Sequence, residues 1–159
     1  MANSLFKPFN MEDGMFLNNY VLHKSSFKDF WKWRKESNKP QPMSFPVVKN
    51  NPNYLKSNKS EKTITWVGHS TFLIQIDGIN ILTDPHFTKR ASPLSFMGPS
   101  RTTPPGLNID DLPFIDLVLI SHNHYDHLDA QTIKLLLKKQ NINQPTFFVP
   151  LRLKETISK

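Results

Sequence analysis

Three histidines and one aspartate fall within six consecutive residues, His122 to His127. Imidazole nitrogens and carboxylate oxygens are ligands that Zn²⁺, Fe or Mn accepts in proteins. Alternate side chains of an extended segment point the same way, so His122 and His124 can share one metal ion. Asp126 and His127 are offset from them and can serve a second ion. The spacing therefore predicts a metal site; the alternative is a surface loop that is His-rich by chance.

The elements on either side of this stretch would position it. Ile115 to Ile120 is nearly continuous in apolar residues, as a strand buried on both faces requires. Ala130–Lys139 has apolar residues at helical spacing, with Asp129 as the N-cap, and Thr146–Val149 is a further short β-type run. Strand, site loop, helix and strand predict an α/β fold with the site at the carboxyl end of a strand.

Two strands and a hairpin are predicted upstream. Thr63–Val67 is one β-type run, and Thr71–Ile76 is a second that places Phe72, Ile74 and Ile76 on one face. Asp77-Gly78 predicts a hairpin turn into Ile79–Thr83. The five prolines of residues 86–114 then predict a long loop, and such loops are often functional.

Composition narrows the class of protein. A length of 159 residues suggests one domain, and 38% hydrophobic with 21% charged residues is ordinary for a soluble protein. The absence of cysteine excludes disulfides and thiolate metal sites. No apolar run is long enough for a spanning helix and no signal peptide is evident, so we expect a cytoplasmic protein.

The charge is uneven, since residues 1–62 carry +6 of the net +7. Residues 1–60 predict a basic, proline-rich N-terminal extension and residues 61–159 the domain. A short helix is predicted at Phe27–Lys35, where four aromatic side chains alternate with basic ones. This pattern fits either a solvated Lys-rich surface or a segment that associates with anionic membrane. No recognition motif supports nucleic-acid binding.

The stretch His122-Asn123-His124-Tyr125-Asp126-His127 resembles the H-x-H-x-D-H signature of the metallo-β-lactamase fold superfamily. The likeness covers about residues 60–152. Further segments resemble the N-acylphosphatidylethanolamine phospholipase D-like branch of that superfamily: Trp66–Ile74, Asn80–Pro85, Arg90–Pro93, Gly98–Arg101 and Ser121–Asp129.

The resemblance implies an αββα sandwich that holds two Zn²⁺ ions and hydrolyses a phosphodiester, such as a phospholipid. His122 and His124 would bind the first ion, and Asp126 and His127 the second, with Asp126 counted as catalytic. In such sites the metal lowers the pKa of bound water to about 7.

Three more residues have implied roles outside the ligand set. Asp84 matches an aspartate of the family near the site and would support ligand geometry; a turn-capping Asp before proline is the alternative. Tyr125 would contact a substrate head group, or else pack as an ordinary aromatic. His69 would line the mouth of the site, or else serve a structural role at a strand end.

The pattern departs from the family after the motif. The family supplies a third His, a bridging Asp and a final His further along, whereas no His follows His127 here and Glu155 is the only acidic residue after Asp129. Arg152 also stands where the family usually has Gly. We therefore expect a truncated, N-terminal half of the sandwich, with one apolar sheet face uncovered and activity impaired in isolation.

Two other functions stay open at this point. The chain could be an inactive fragment or a split subunit that binds metal, a second chain completing the domain, or membrane, without turnover. A β-lactamase or glyoxalase-type substrate also fits the motif alone, but the flanking segments argue against it.

Overall fold

The computed structural model describes residues 11–12, 15–16, 26–37, 46, 48–94 and 96–157. Contacts group the chain into two units, Met1–Gln41 and Pro42–Lys159. The first unit contains two antiparallel strands, β1 (Met11–Glu12) and β2 (Met15–Phe16).

The helix predicted at Phe27–Lys35 is confirmed as α1, Phe27–Glu36, in the first unit. It begins with a capping box, in which Ser26 and Asp29 each accept a hydrogen bond from the other's backbone amide. Among the described residues no helix is both long and apolar enough to span a membrane.

The second unit is built on a five-stranded mixed sheet, whose strands neighbour one another in chain order. The first two pairings are set by hairpins, so that neighbouring strands run antiparallel among β3 (Thr63–Gly68), β4 (Thr71–Ile76) and β5 (Ile79–Thr83). The predicted turn at Asp77-Gly78 is confirmed, with φ of +50° and +79° as a two-residue hairpin requires.

The last two strands are β6 (Leu117–Leu119) and β7 (Thr146–Phe148), and both run parallel to β5. Helix α3 (Ala130–Lys139) connects them, and Asp129 caps it as predicted by accepting hydrogen bonds from Gln131 and Thr132 amides. The parallel β6–α3–β7 unit confirms the predicted α/β class.

Shorter elements complete this unit. Helix α2 (Pro52–Ser57) lies in the segment that the sequence assigns to the extension, yet its Leu55 is buried in the core of the second unit. The Leu55 carbonyl accepts a hydrogen bond from Gln75 of β4 at 2.8 Å. The long loop contains a 3₁₀ turn at Ile109–Asp111, and the last described helix is α4, Lys154–Ile157.

Only one face of the sheet is buried by the described chain. In β4 the buried residues are Thr71, Leu73 and Gln75, whereas the predicted apolar face of Phe72, Ile74 and Ile76 is partly exposed. We call this second surface the open face. Its most exposed apolar residues are Ile64, Trp66, Ile76, Ile79, Leu119 and Phe148.

The expectation that the strand within Ile115–Ile120 is buried on both faces is wrong for the described chain. Val118 is fully buried, but its neighbour Leu119 is 36% exposed because it lies on the open face. Among the described residues nothing covers the open face, as expected, and their layers are one sheet with helices, as in half of a sandwich.

The two faces predict opposite mutational effects. Leu73→Ala should lower the free energy of unfolding by about 2–5 kcal/mol, because it leaves a cavity beneath a fully buried side chain. Ile64→Ala, at a position that is 72% exposed on the neighbouring strand, should change it by less than about 1 kcal/mol. Urea unfolding of both variants measures this, and equal losses would mean that the open face is covered in solution.

Candidate metal centre

The candidate site lies at the carboxyl ends of two neighbouring parallel strands. Thr83 of β5 pairs with Leu119 of β6, so the residues that follow these strands meet at one edge of the sheet. Asp84 follows β5 directly, and its amide donates to the Leu119 carbonyl at 2.8 Å. The His-rich loop follows β6 and leads into α3. The local topology thus brings Asp84 to the loop, 37 residues further along the chain.

Asp84 holds the start of the loop and one of its histidines. Its carboxylate accepts hydrogen bonds from the Ser121 amide and hydroxyl, both at 2.7 Å. The same carboxylate lies 2.9 Å from Nδ1 of His127. Because a carboxylate only accepts, Nδ1 carries the proton, and Nε2 of His127 is left with a lone pair for a metal ion. Asp84 is 7% exposed, so this contact is shielded from solvent.

Three side chains converge on the far side of His127. Nε2 of His69 lies 2.9 Å from Oδ2 of Asp126, and Nε2 of His127 lies 3.7 Å from the same oxygen. One possible ligand atom from each of these three residues lies within 4.8 Å of the other two. The structure therefore places His69 beside two of the predicted ligands. His69 also lines a cavity.

The Asp126 carboxylate is held in its ionised form. Burial raises the pKa of this carboxyl, but its own backbone amide and the electrostatic and hydrogen-bonding interactions with His127 and His69 outweigh burial, so the pKa is lowered overall. An ionised carboxylate offers a negatively charged oxygen ligand, which a divalent cation prefers.

The remaining two predicted ligands form a pair beside this cluster. Nε2 of His122 and Nδ1 of His124 are 3.0 Å apart, and the ring of His122 is centred 4.0 Å from that of His127. Nitrogens this close can be bound by one ion, as the alternation of their side chains predicts. Imidazole nitrogens and carboxylate oxygens suit zinc, so these residues fit the predicted metal.

A cavity of about 620 Å³ opens beside the cluster, and His69 and Asp126 line it. Its other walls come from β3, from the proline-rich loop and from Pro46, Val48 and Asn50. Tyr125 is 54% exposed and is not among the described residues that line this cavity, so its contact with substrate stays a prediction.

Sequence reasoning missed two polar residues of the cavity wall, His86 and Arg101. In the sequence Arg101 stands out only as the last residue of Gly98–Arg101, a segment that resembles the family. His86 follows Asp84-Pro85 without a motif of its own. The signal that could have indicated them is the proline-rich loop itself, since such loops often carry function.

Residues 63–151, more than half of the chain, match the family described as a beta-lactamase superfamily domain. The chain belongs to the metallo-β-lactamase superfamily. This membership confirms the resemblance to the superfamily, and relatives named as N-acyl-phosphatidylethanolamine-hydrolyzing phospholipases D support the likeness to that branch.

Three relatives show which proteins this superfamily member is similar to. A protein of Mycobacterium tuberculosis named only as uncharacterized is 36% identical over 148 residues, which is 89% of this chain and 39% of that protein. An N-acyl-phosphatidylethanolamine-hydrolyzing phospholipase D of Caenorhabditis elegans is 47% identical over 92 residues, 57% of this chain and 25% of that protein. A metal-dependent hydrolase of Methanopyrus kandleri is 38% identical over 65 residues, covering 41% and 23%. The chain thus spans about two fifths of the length of the mycobacterial relative.

The geometry around Asp84 predicts a specific loss of metal affinity. Asp84→Asn removes the charged acceptor that keeps Nε2 of His127 free for a metal, so Zn²⁺ affinity should fall about 10- to 100-fold. Competition with a chelating dye measures the affinity. Asp77→Asn is the matched control, because Asp77 lies in the exposed β4–β5 turn. Unchanged affinity in Asp84→Asn would show that Asp84 does not support the site.

Proposed function

We propose that this chain carries the metal-binding part of a hydrolase that cleaves phosphodiesters, with two Zn²⁺ ions as cofactors. The observation that carries the proposal is the convergence of imidazole and carboxylate donors at the strand ends, beside a cavity. His122 and His124 would hold one ion, and Asp126 and His127 the other. When bound, the ions would supply an activated water at neutral pH and stabilise the oxygens of the reacting phosphoryl group.

The surrounding residues act by positioning these ligands. Asp84 fixes the ring of His127 and the first residue of the loop. His69 lies within hydrogen-bonding distance of the Asp126 carboxylate, which restricts that carboxylate to one orientation. Tyr125, exposed between two proposed ligands, is free to contact a substrate head group. Such support matters because donors must be held close to their working geometry before the ion binds.

The substrate class is supported by the named relatives. The C. elegans relative and one from Saccharomyces cerevisiae, 36% identical over 90 residues, are both named as phospholipases D that hydrolyse N-acyl-phosphatidylethanolamine. A phospholipid of this kind contains the phosphodiester that the proposed activity requires.

A second polypeptide segment would complete the site. Catalytic zinc normally has three protein ligands, whereas His122 and His124 provide two for the first ion. The open face also exposes apolar side chains on all five strands of the sheet, and exposed patches of this extent mark interaction surfaces. We propose that a second β-sheet segment bearing further His or carboxylate ligands packs on this face.

The metal site and its activity are tested together on the purified chain. We expect about one or two Zn²⁺ per chain in the wild type and fewer in His124→Ala, with Asn123→Ala as the matched control because Asn123 is an exposed neighbour in the same loop. Once the completing segment is supplied, hydrolysis of bis(p-nitrophenyl) phosphate should stop with a chelator and return with zinc. Turnover that persists under chelation would contradict the proposal.

The second candidate function is binding without turnover, as an inactive fragment or a split subunit. The open face favours binding without turnover, since a partner chain could pack on that face whether or not the metal site catalyses a reaction. This candidate would be favoured over the hydrolase if zinc binds at the expected ratio but no phosphodiester is hydrolysed after the partner segment is supplied.

Helix α1 supports a further proposal, association with an anionic membrane surface. All its described side chains are exposed, including Phe27 at 76%, Trp31 at 55% and Trp33 at 63%. The rings of Phe27, Phe30 and Trp31 lie about 6.1 Å apart and form an apolar patch between basic side chains. Apolar insertion and lysine attraction together favour binding to anionic lipid.

Vesicle sedimentation tests this association. Trp31→Ala should weaken binding to phosphatidylserine vesicles several-fold, because it removes apolar area that would insert between lipids, and high salt should weaken binding further. Trp66→Ala is the matched control, since Trp66 is similarly exposed, at 59%, but lies on the sheet. Equal binding by the wild type and Trp31→Ala would exclude a membrane role for this face of α1.

A further inference from the structure

The cavity beside the metal cluster contains a guanidinium that is firmly held yet not paired with a carboxylate. Arg101 Nε donates to the Thr88 carbonyl at 3.2 Å, and its Nη2 donates to the His86 carbonyl. The Arg101 amide donates to the Lys89 carbonyl at 2.8 Å. Within the described part of the chain no ion pair joins Arg101 to an acid. A fixed positive charge therefore lines the cavity without an ion-pair partner among the described residues.

The remaining nitrogen of this guanidinium lies against the end of β3. A Cβ added at Gly68 would stand 2.9 Å from Nη1 of Arg101, and Gly68 has φ of +141°, which side-chain-bearing residues rarely adopt. Glycine is therefore needed here for the close approach as well as for the turn. Among the described residues Nη1 has no hydrogen-bond acceptor. Gly68, which Nη1 approaches, directly precedes His69, a member of the metal cluster.

His86 presents a second donor without an acceptor. Its Nδ1 lies 3.2 Å from Nη2 of Arg101, and because arginine only donates, Nδ1 must accept. Burial, and then the charge of Arg101, lower the pKa of His86, so the ring is neutral and its proton is on Nε2. His86 is 4% exposed, and Nε2 makes no hydrogen bond of ordinary geometry to the described residues, although the Arg90 backbone acts on the ring and partly opposes the fall in its pKa. A buried donor left unpaired is unfavourable unless something enters to accept from it.

The nearby acid Asp129 forms no ion pair with either residue, although its negative charge acts to raise the pKa of both Arg101 and His86. Its carboxylate accepts hydrogen bonds from the hydroxyls of Thr88, at 2.7 Å, and Thr132, at 2.6 Å, and from the first amides of α3. These bonds commit it to capping the helix. Arg101 and His86 thus keep donors available on the wall that also includes Asp126.

We propose that Arg101 and His86 form an anion subsite that binds a phosphate oxygen of the substrate beside the metal centre. The subsite names how the same cavity recognises its substrate and therefore rests on the proposed phosphodiesterase function. Arg101 would supply charge and direction, as guanidinium does for phosphate, and His86 would donate one further hydrogen bond from Nε2. Both residues bind the substrate rather than take part in proton transfer.

The test measures anion binding by the metal-free chain, so that zinc cannot bind the anion itself. Inorganic phosphate is titrated by calorimetry into the wild type, Arg101→Gln and Lys89→Gln. Lys89→Gln is the matched control, because it removes the same charge from the same loop at an exposed position outside the cavity. We expect affinity to fall at least about tenfold in Arg101→Gln and less than twofold in the control. Equal affinity in all three proteins overturns the subsite.

Two further measurements cover a variant that fails to fold. Arg101→Lys keeps the charge but loses the Nε and Nη2 hydrogen bonds that hold the side chain in place, so it should bind phosphate several-fold more weakly than the wild type. In the isotope-labelled wild type, phosphate should shift the Nε–H signal of Arg101, whereas an unmoved signal at saturating phosphate contradicts the subsite.

The source of the phosphate is distinguished by two ligands that share it. Dihexanoyl-phosphatidylethanolamine below its micelle concentration is compared with glycerophosphoethanolamine, which lacks acyl chains. Binding that depends on Arg101 supports the subsite with either ligand, and a tighter lipid complex assigns the phosphate to a phospholipid. If Arg101→Gln binds both ligands as tightly as the wild type does, the subsite is overturned.

The subsite and the proposed function can fail separately. If phosphate binding depends on Arg101 but no turnover depends on zinc, the subsite stands and the phosphodiesterase function is contradicted. If turnover depends on zinc but Arg101→Gln leaves phosphate binding unchanged, the phosphodiesterase function stands and the subsite is contradicted.

Discussion

The contact between Asp84 and the start of the His-rich loop is the constraint on which the candidate site depends. Asp84 ends β5 with φ of +36°, a left-handed conformation that aspartate tolerates better than most residues. Its two carboxylate oxygens bind Ser121 and His127, so one buried side chain ties the end of β5 to the loop after β6. The Asp84 carbonyl in turn accepts from the Thr71 hydroxyl at 2.7 Å, which anchors it to β4. The ligand geometry is thus inherited from the sheet.

The sheet itself has two unlike faces, and this asymmetry links fold to function. One face packs against α3 and the long loop, and its core includes Leu73, Leu82, Val118 and Leu136, all with no exposed area. The open face carries apolar side chains that water contacts. Burying such a surface is strongly favourable, since each square ångström of apolar area contributes about 25 cal/mol. The same packing that would cover it would bring further side chains to the metal edge.

Most of the fold could be predicted from the sequence, because its signals are local. The Asp77-Gly78 turn, the Asp129 cap and the apolar spacing of α3 each depend on residues a few positions apart. Burial could not be predicted in the same way. The apolar run at Ile115–Ile120 indicates a strand but not which of its faces is covered, because covering depends on what packs there. Helix α2 was missed although Asn51 as N-cap and Pro52 at the first helical position are local signals; what they do not indicate is that Leu55 is held by the distant β4.

For the site, the sequence by itself determined the donor types, their spacing in His122 to His127, and their place after a strand. These follow from chemistry and chain geometry within a few residues. Only the tertiary structure decided that His69 lies 2.9 Å from Asp126, and that Arg101 and His86 share a cavity with both. These pairs are separated by 15 to 57 residues along the chain, and no local pattern relates them. Their proximity results from the antiparallel β3–β4 turn and from the path of the long loop across the sheet edge.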